Sequence, residues 1–195
     1  MSNLSILTSS EQQAFDYPPI LPAEIQSVCF SINSSLEKEI GALKTAVNKV
    51  GFFLQYAYFK ACKRFFTISR FTQNQIRYAA TLLNINPAEV DLASYKKKMP
   101  IEHQKKILKL LDYKSFNHRV TAWLKEAMFC WIEQQLEPKQ IFIQVLSLLQ
   151  QQKVEVPSYH RLAELITSTF AEFEDSLLSK MRDSLSLEDK KFLAQ

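Results

Sequence analysis

Thr72-Gln73-Asn74-Gln75-Ile76-Arg77-Tyr78-Ala79-Ala80-Thr81-Leu82-Leu83-Asn84-Ile85-Asn86-Pro87-Ala88-Glu89-Val90-Asp91-Leu92-Ala93 reads as two helices joined by a tight turn. Thr72 and Gln75 form a capping box, in which hydroxyl and amide satisfy orphan backbone groups at a helix start. Asn86-Pro87 repeats the start signal, with proline at the first helical position. Asn84 tolerates the left-handed conformation that the turn demands. Ala80 is small where the helices would cross, and Ala79, Leu83, Ile85, Val90 and Ala93 would lock the pair. The spacing predicts a helix-turn-helix over 72–95, whose second helix normally enters a DNA major groove. Glu89 and Asp91 place negative charge where phosphates would lie, so the unit would dock by its flanks.

The same signals recur along the chain. A short helix is expected near Glu11–Phe15, another from Pro22 to Phe30, and a helix or helix pair from the Ser34–Glu37 capping box to Phe66. Pro100, Ser115, Pro138 and Pro157-Ser158 open helices running to about Leu111, Glu137, Gln152 and Asp183, and Ser186–Asp189 caps a last short one. Gly41 and Gly51 are the only glycines in 195 residues, too few for the hairpins of a β-rich chain. The expected fold is an all-α multi-helix bundle with one or two helix-turn-helix-like units. A basic subdomain over 1–114 would be followed by a second helical subdomain over 115–195, divided where the charge changes sign.

That change of sign is large. Sixteen of the 24 Lys and Arg residues fall between Lys44 and Lys125, opposed by four acidic residues, which gives the block a charge of +12 within a chain of net +4. Clustered basic charge is the footprint of a polyanionic partner. Lys96, Lys97 and Lys98 with Lys105, Lys106 and Lys109 form its densest part, and Arg70 and Arg77 precede it; these residues suit phosphate contact. Ser158-Tyr159-His160-Arg161 heads a helix, where side chains and free amides are placed either to hold a phosphate or to make a plain cap. The aromatics Phe52, Phe53, Tyr56, Tyr58, Phe59, Phe65 and Phe66 recur at helical spacing and read as core.

Other classes receive little support. Cys29, Cys62 and Cys130 share no metal-like spacing and read as small hydrophobes in a reducing compartment. His103, His118 and His160 lack the local spacing of a metal site; His103 beside Glu102 reads as a satisfied, partly buried histidine in preference to a phosphate donor. There is no nucleophile elbow and no Gly-rich phosphate loop. No cofactor, metal or catalytic site is therefore expected. The N-terminus lacks the pattern of a signal peptide. Val50–Phe59, the longest apolar run, falls far short of the roughly 20 residues that span a bilayer. A cytoplasmic location is expected.

Several motifs, in order, resemble the N-terminal domain of Tn-three family replicative transposases (the TnpA type). Asn48-Lys49 followed by Val50-Gly51-Phe52-Phe53-Leu54-Gln55 is similar to that family's Asn-Arg-Leu-Gly-Phe-Ala-Leu-Gln segment. Leu4–Gln12 resembles its opening, and Tyr78–Ile85 its Ala-x-Gln-Leu-Gly-Ile stretch. Tyr95 to Lys98 with Glu102-His103 resembles Tyr-x-x-Arg and Arg-Glu-His. Asp112–Phe116 resembles Gly-Tyr-Arg-x-Phe. Val154–Pro157 leading to Arg161-Leu162, and Leu185–Leu193, resemble the closing motifs. The resemblance implies an all-helical region that binds the terminal inverted repeats of a transposon as double-stranded DNA, with strand transfer belonging to a separate, larger domain. It carries over Asn48, Lys49, Lys60, Arg64, Lys98 and His103 as DNA contacts. Lysine stands for the family's arginine at 49, 60, 98 and 114, which keeps the charge but loses bidentate guanine recognition. Asn84 and Asp112 replace its turn glycines. The competing expectations are a helical protein-interaction scaffold with a basic face, and a peripheral membrane binder using Gly51–Phe66.

Overall fold

A computed structural model describes residues 6–95 and 98–184, and of Lys98 the backbone alone. Lys96, Lys97 and the Ser186–Asp189 cap lie outside the described residues. Among the described residues there are nine α-helices, three single turns of 3-10 helix and one isolated parallel bridge, Lys114 to Val154. The helices are α1 (Ser9–Asp16), α2 (Ala23–Cys29), α3 (Ser34–Gly41), α4 (Ala46–Cys62), α5 (Gln73–Leu82), α6 (Lys98–Leu111), α7 (His118–Glu133), α8 (Pro138–Gln151) and α9 (Tyr159–Ser184). The chain is an all-α, multi-helix protein.

Two compact units are present, each assembled from separated segments. The larger comprises Leu7–Asn117 and Leu146–Tyr159. The smaller comprises Ile6, His118–Val145 and residues 160–184 among those described.

The larger unit is built around α4. Every residue from Val50 to Phe59 is buried, as expected of a helix that is apolar all round and enclosed by neighbours. Helices α2, α3, α5 and α6 supply those neighbours. Gln55, the one polar residue in the run, is 1% exposed. Its amide nitrogen donates to the Phe66 carbonyl at 2.6 Å and its oxygen accepts from the Phe66 amide at 3.4 Å. The amide is thus paired on both sides and avoids the cost of an unsatisfied buried group. Phe30 meets Phe53, Tyr58 and Tyr78 edge-on at centroid distances of 5.1–6.0 Å, the geometry that aromatic quadrupoles favour. The helically spaced aromatics are core, as their period indicates.

Helix ends in this chain are made almost without glycine. Asn84, Asp112, Gln135 and Lys153 adopt left-handed backbones, with φ between 51° and 61°. Each is followed by a residue whose amide bonds five residues back: Ile85 to Ala80, Tyr113 to Leu108, Leu136 to Trp131 and Val154 to Leu149. These are Schellman ends, which satisfy the last free carbonyls of a helix. Lys63, at φ 58°, closes α4 with a single bond to the Phe59 carbonyl.

The segment 72–95 departs from the expected helix-turn-helix. The Thr72–Gln75 capping box and the left-handed Asn84 are present. The second helix is not. Pro87–Glu89 and Leu92–Ser94 are separate 3-10 turns with extended backbone between them. Asn86 accepts from the Ala88 amide and Asp91 from the Ala93 amide. Two short polar side chains so close together claim the backbone donors that a continuous helix would use. One further start signal shifts: Asn33, rather than Ser34, caps α3. Of the helix or helix pair expected after it, the pair forms, with Thr45 capping α4.

In the smaller unit, α7 buries Val120, Leu124, Met128 and Ile132 at four-residue spacing, and α9 buries Leu162, Leu165, Ile166 and Thr169. Lys125 pairs with Glu172, and the Phe129 and Phe173 rings lie 5.8 Å apart.

Candidate nucleic-acid interface

Helices α4 and α6 lie side by side and run in the same direction. Phe52 meets His103 at 5.1 Å near their starts, and Phe59 meets Tyr113 at 5.1 Å near their ends. Gly51 leaves room on α4 for the Tyr95 ring, which precedes α6. A Cβ there would stand 2.6 Å from the Tyr95 ring, well inside contact distance. The Tyr95 hydroxyl in turn shares a hydrogen bond with His103 Nδ1.

His103 is consequently interior, 1% exposed. Burial, with Lys106 nearby, pushes its pKa from 6.5 to about 4 against the opposite pull of Glu102, so the ring is neutral at pH 7. Nε2 is buried without a partner. This corrects the contact carried over by resemblance: the imidazole holds α6 to the core and does not face a duplex. Arg64 needs the same correction. It is 5% exposed, its Nη1 donates to the Phe15 carbonyl and its Nη2 to Asp16 Oδ1 at 2.9 Å. Its guanidinium lies 3.8 Å from the Phe15 ring centroid. Burial lowers its pKa against the pull of Asp16. The side chain is a strut that ties α1 to the end of α4.

Other expected cations are engaged at the surface. Lys60 donates to the Val28 carbonyl at 2.7 Å and to Ser31 at 3.2 Å, closing the end of α2. Arg70 donates to the Asp16 carbonyl at 2.6 Å and lies 4.7 Å from the Tyr17 ring. Lys106 pairs with Glu39 at 3.0 Å. Asn48 is partly exposed and caps through its own amide to Thr45.

The segment Ser158–Arg161 straddles the two units. At Tyr159 the first amide of α9 donates to Asp16 at 3.4 Å, so the protein's own carboxylate occupies part of the expected phosphate position. His160 pairs with Glu164 at 3.1 Å, one turn on. Ser158 and Arg161 are exposed.

A different set of cations makes no side-chain hydrogen bond or ion pair. Lys44, Lys49, Arg77, Lys105, Lys109 and Lys114 are exposed or partly exposed and unpaired. Lys105 and Lys109 occupy the exposed face of α6, while His103 and Ile107 are buried on its other side and Leu108 at the margin. Lys49 sits in the first turn of α4, at the same end as the start of α6. Lys98 is the first residue of α6. Unpaired cations on a rigidly backed helix are free to neutralise phosphates without first breaking an internal bond. Lys44 was visible in the sequence only as a member of the basic block, and Lys114 only there and as a motif lysine, not as a DNA contact. A cavity of about 610 Å³ lies nearby, lined in part by Thr67, Ser69, Leu92, Tyr95 and Gln104, with no charged residue among the described residues of its walls. Among the described residues no group of three or more His, Cys, Asp or Glu could hold a metal ion, and no helix is long and apolar enough to cross a membrane.

The fold and its surface define an all-helical protein with several unpaired cations. The chain belongs to the family described as a domain of unknown function (DUF4158), whose model matches residues 6–169. No curated protein matches it.

Proposed function

We propose that this chain is a duplex-DNA-binding module that docks its unpaired lysines and Arg77 on the phosphate backbone. The observation that carries the reading is the sorting of cations. Within one basic block, six of the described cations are left unpaired while Lys60, Lys63, Arg64, Arg70, Lys106 and Lys125 are used internally, and Arg119 also has a partner. Phosphate contacts of this kind supply affinity and orientation rather than sequence information. The ordered resemblance to transposase N-terminal domains supports a narrower form: the DNA is the terminal inverted repeat of a transposon, and catalysis belongs to another domain. The role given to this chain is binding, not catalysis.

The test is fluorescence anisotropy with two labelled duplexes, one carrying the inverted repeat that flanks the gene and one a scrambled control, at low and moderate salt. Salt-sensitive binding that favours the repeat is the expected result. Equal, salt-sensitive binding to both would refute repeat recognition and leave a backbone binder. No binding to either would refute the DNA reading in favour of a scaffold whose basic face meets an acidic protein.

A further inference from the structure

Helix α6 bears a feature that phosphate docking does not use. Ile101 is 56% exposed in its first turns, although the rest of its apolar residues face the core or its margin. Ile101, Lys105 and Lys109 follow at four-residue spacing, so they form one stripe along the helix. At 1.5 Å per residue that stripe spans about 12 Å, close to the roughly 12 Å width of a major groove. Glu102 lies beside it, exposed and without a hydrogen bond or ion pair. The opposite side is anchored through His103 to Tyr95 and through Ile107 to the core, and Leu108 is buried at the margin beside Ile101. After Lys98, which begins the helix, the exposed face carries Ile101 and Glu102 toward its N-terminal end and Lys105 and Lys109 toward its C-terminal end.

We infer that α6 is the helix that enters the major groove, with Ile101 and Glu102 reading base edges and Lys105 and Lys109 gripping the flanking phosphates. This rests on the DNA-binding reading above. It replaces the segment 85–95, whose 3-10 turns are too short to fill a groove. The chemistry is specific. An isoleucine side chain packs on the thymine C5-methyl, and a glutamate accepts from the cytosine N4 amino group. A carboxylate pointing at phosphates would repel them; at a base edge it selects. The preferred site should contain a thymine next to a cytosine within a short stretch, flanked by base pairs whose identity matters little.

The experiment selects preferred duplexes for the whole wild-type chain from a pool with a randomised core. It then measures affinity for the best duplex and its single-base variants across a salt series. Ile101→Ala combined with Glu102→Gln should lower discrimination at two or three adjacent base pairs by about tenfold each and leave the salt slope unaltered. Lys105→Ala and Lys109→Ala should keep the preference and reduce the salt slope by about 1 each. All four side chains are exposed, so circular dichroism should be unchanged. Binding that persists with unaltered preference in the Ile101/Glu102 variant would overturn this inference alone. A wild-type chain that binds no duplex would overturn it together with the reading beneath it.

Discussion

Replacing Gly51 with alanine is the sharpest test of how α6 is held. In an ordinary helix interior, Gly→Ala stabilises by about 1 kcal/mol because the unfolded chain loses freedom. Here the added Cβ would lie 2.6 Å from Tyr95 Cε2 and 3.0 Å from two further ring atoms. The ring is 7% exposed and its hydroxyl is bound to His103, so it cannot swing away freely. Overpacking of this kind costs about 1–3 kcal/mol, and a strained or lost hydrogen bond adds about 1 kcal/mol. After the propensity gain, the net destabilisation is about 1–3 kcal/mol. Urea unfolding followed by circular dichroism should show the midpoint falling. In a Tyr95→Ala background the clash is gone, and Gly51→Ala should then stabilise by up to about 1 kcal/mol. This reversal of sign is the decisive outcome. A neutral or stabilising effect in the wild-type background would refute the claim that Gly51 leaves room on α4 for the Tyr95 ring.

Other perturbations bear on the same framework. His103 has a depressed pKa, so its protonation favours the unfolded state; stability is full above about pH 6.5 and falls as pH drops toward about 4, by about 3 kcal/mol in all. Urea midpoints measured across that window should show this limb, and His103→Gln should flatten it. Arg64→Met should destabilise by about 2–4 kcal/mol, because it removes the 2.9 Å ion pair to the partly buried Asp16 and the hydrogen bond to the Phe15 carbonyl. The same variant, where folded, should keep the wild-type salt slope for DNA; a reduced slope would contradict its role as a strut. Gln135→Gly, at an exposed left-handed position with φ 61°, should raise stability by about 1 kcal/mol by relieving the Cβ clash, and a lowered unfolding midpoint would contradict this.

Helix type and many helix ends were legible from the chain because their causes are local. The Thr72–Gln75 box, Pro138 at the start of α8 and the left-handed Asn84 act within a few residues of themselves. The core position of α4 was legible too, since ten successive residues permit no solvent face. Arg64 was placed on the surface, and the resemblance put His103 there against its own reading as a partly buried histidine, because their burial depends on distant partners: Phe15 and Asp16 for one, Tyr95 and Phe52 for the other. Charge alone does not distinguish a strut from a docking residue. The second helix of the expected helix-turn-helix failed for a local reason that competing signals concealed. Asn86-Pro87 is a sound helix start, but Asp91 restarts the cap before one full helical turn can follow. Ile101 was overlooked although its spacing to Lys105 and Lys109 stands in the sequence; its exposure follows from which side of α6 His103 and Ile107 anchor.

The most direct test of the central claim is the slope of log binding constant against log salt for the whole chain and a duplex. Neutralisation of four to six phosphates by the unpaired cations predicts a slope of about −4 to −5. A slope near zero, or binding that survives moderate salt unchanged, would contradict a phosphate-docking surface and with it the proposed function.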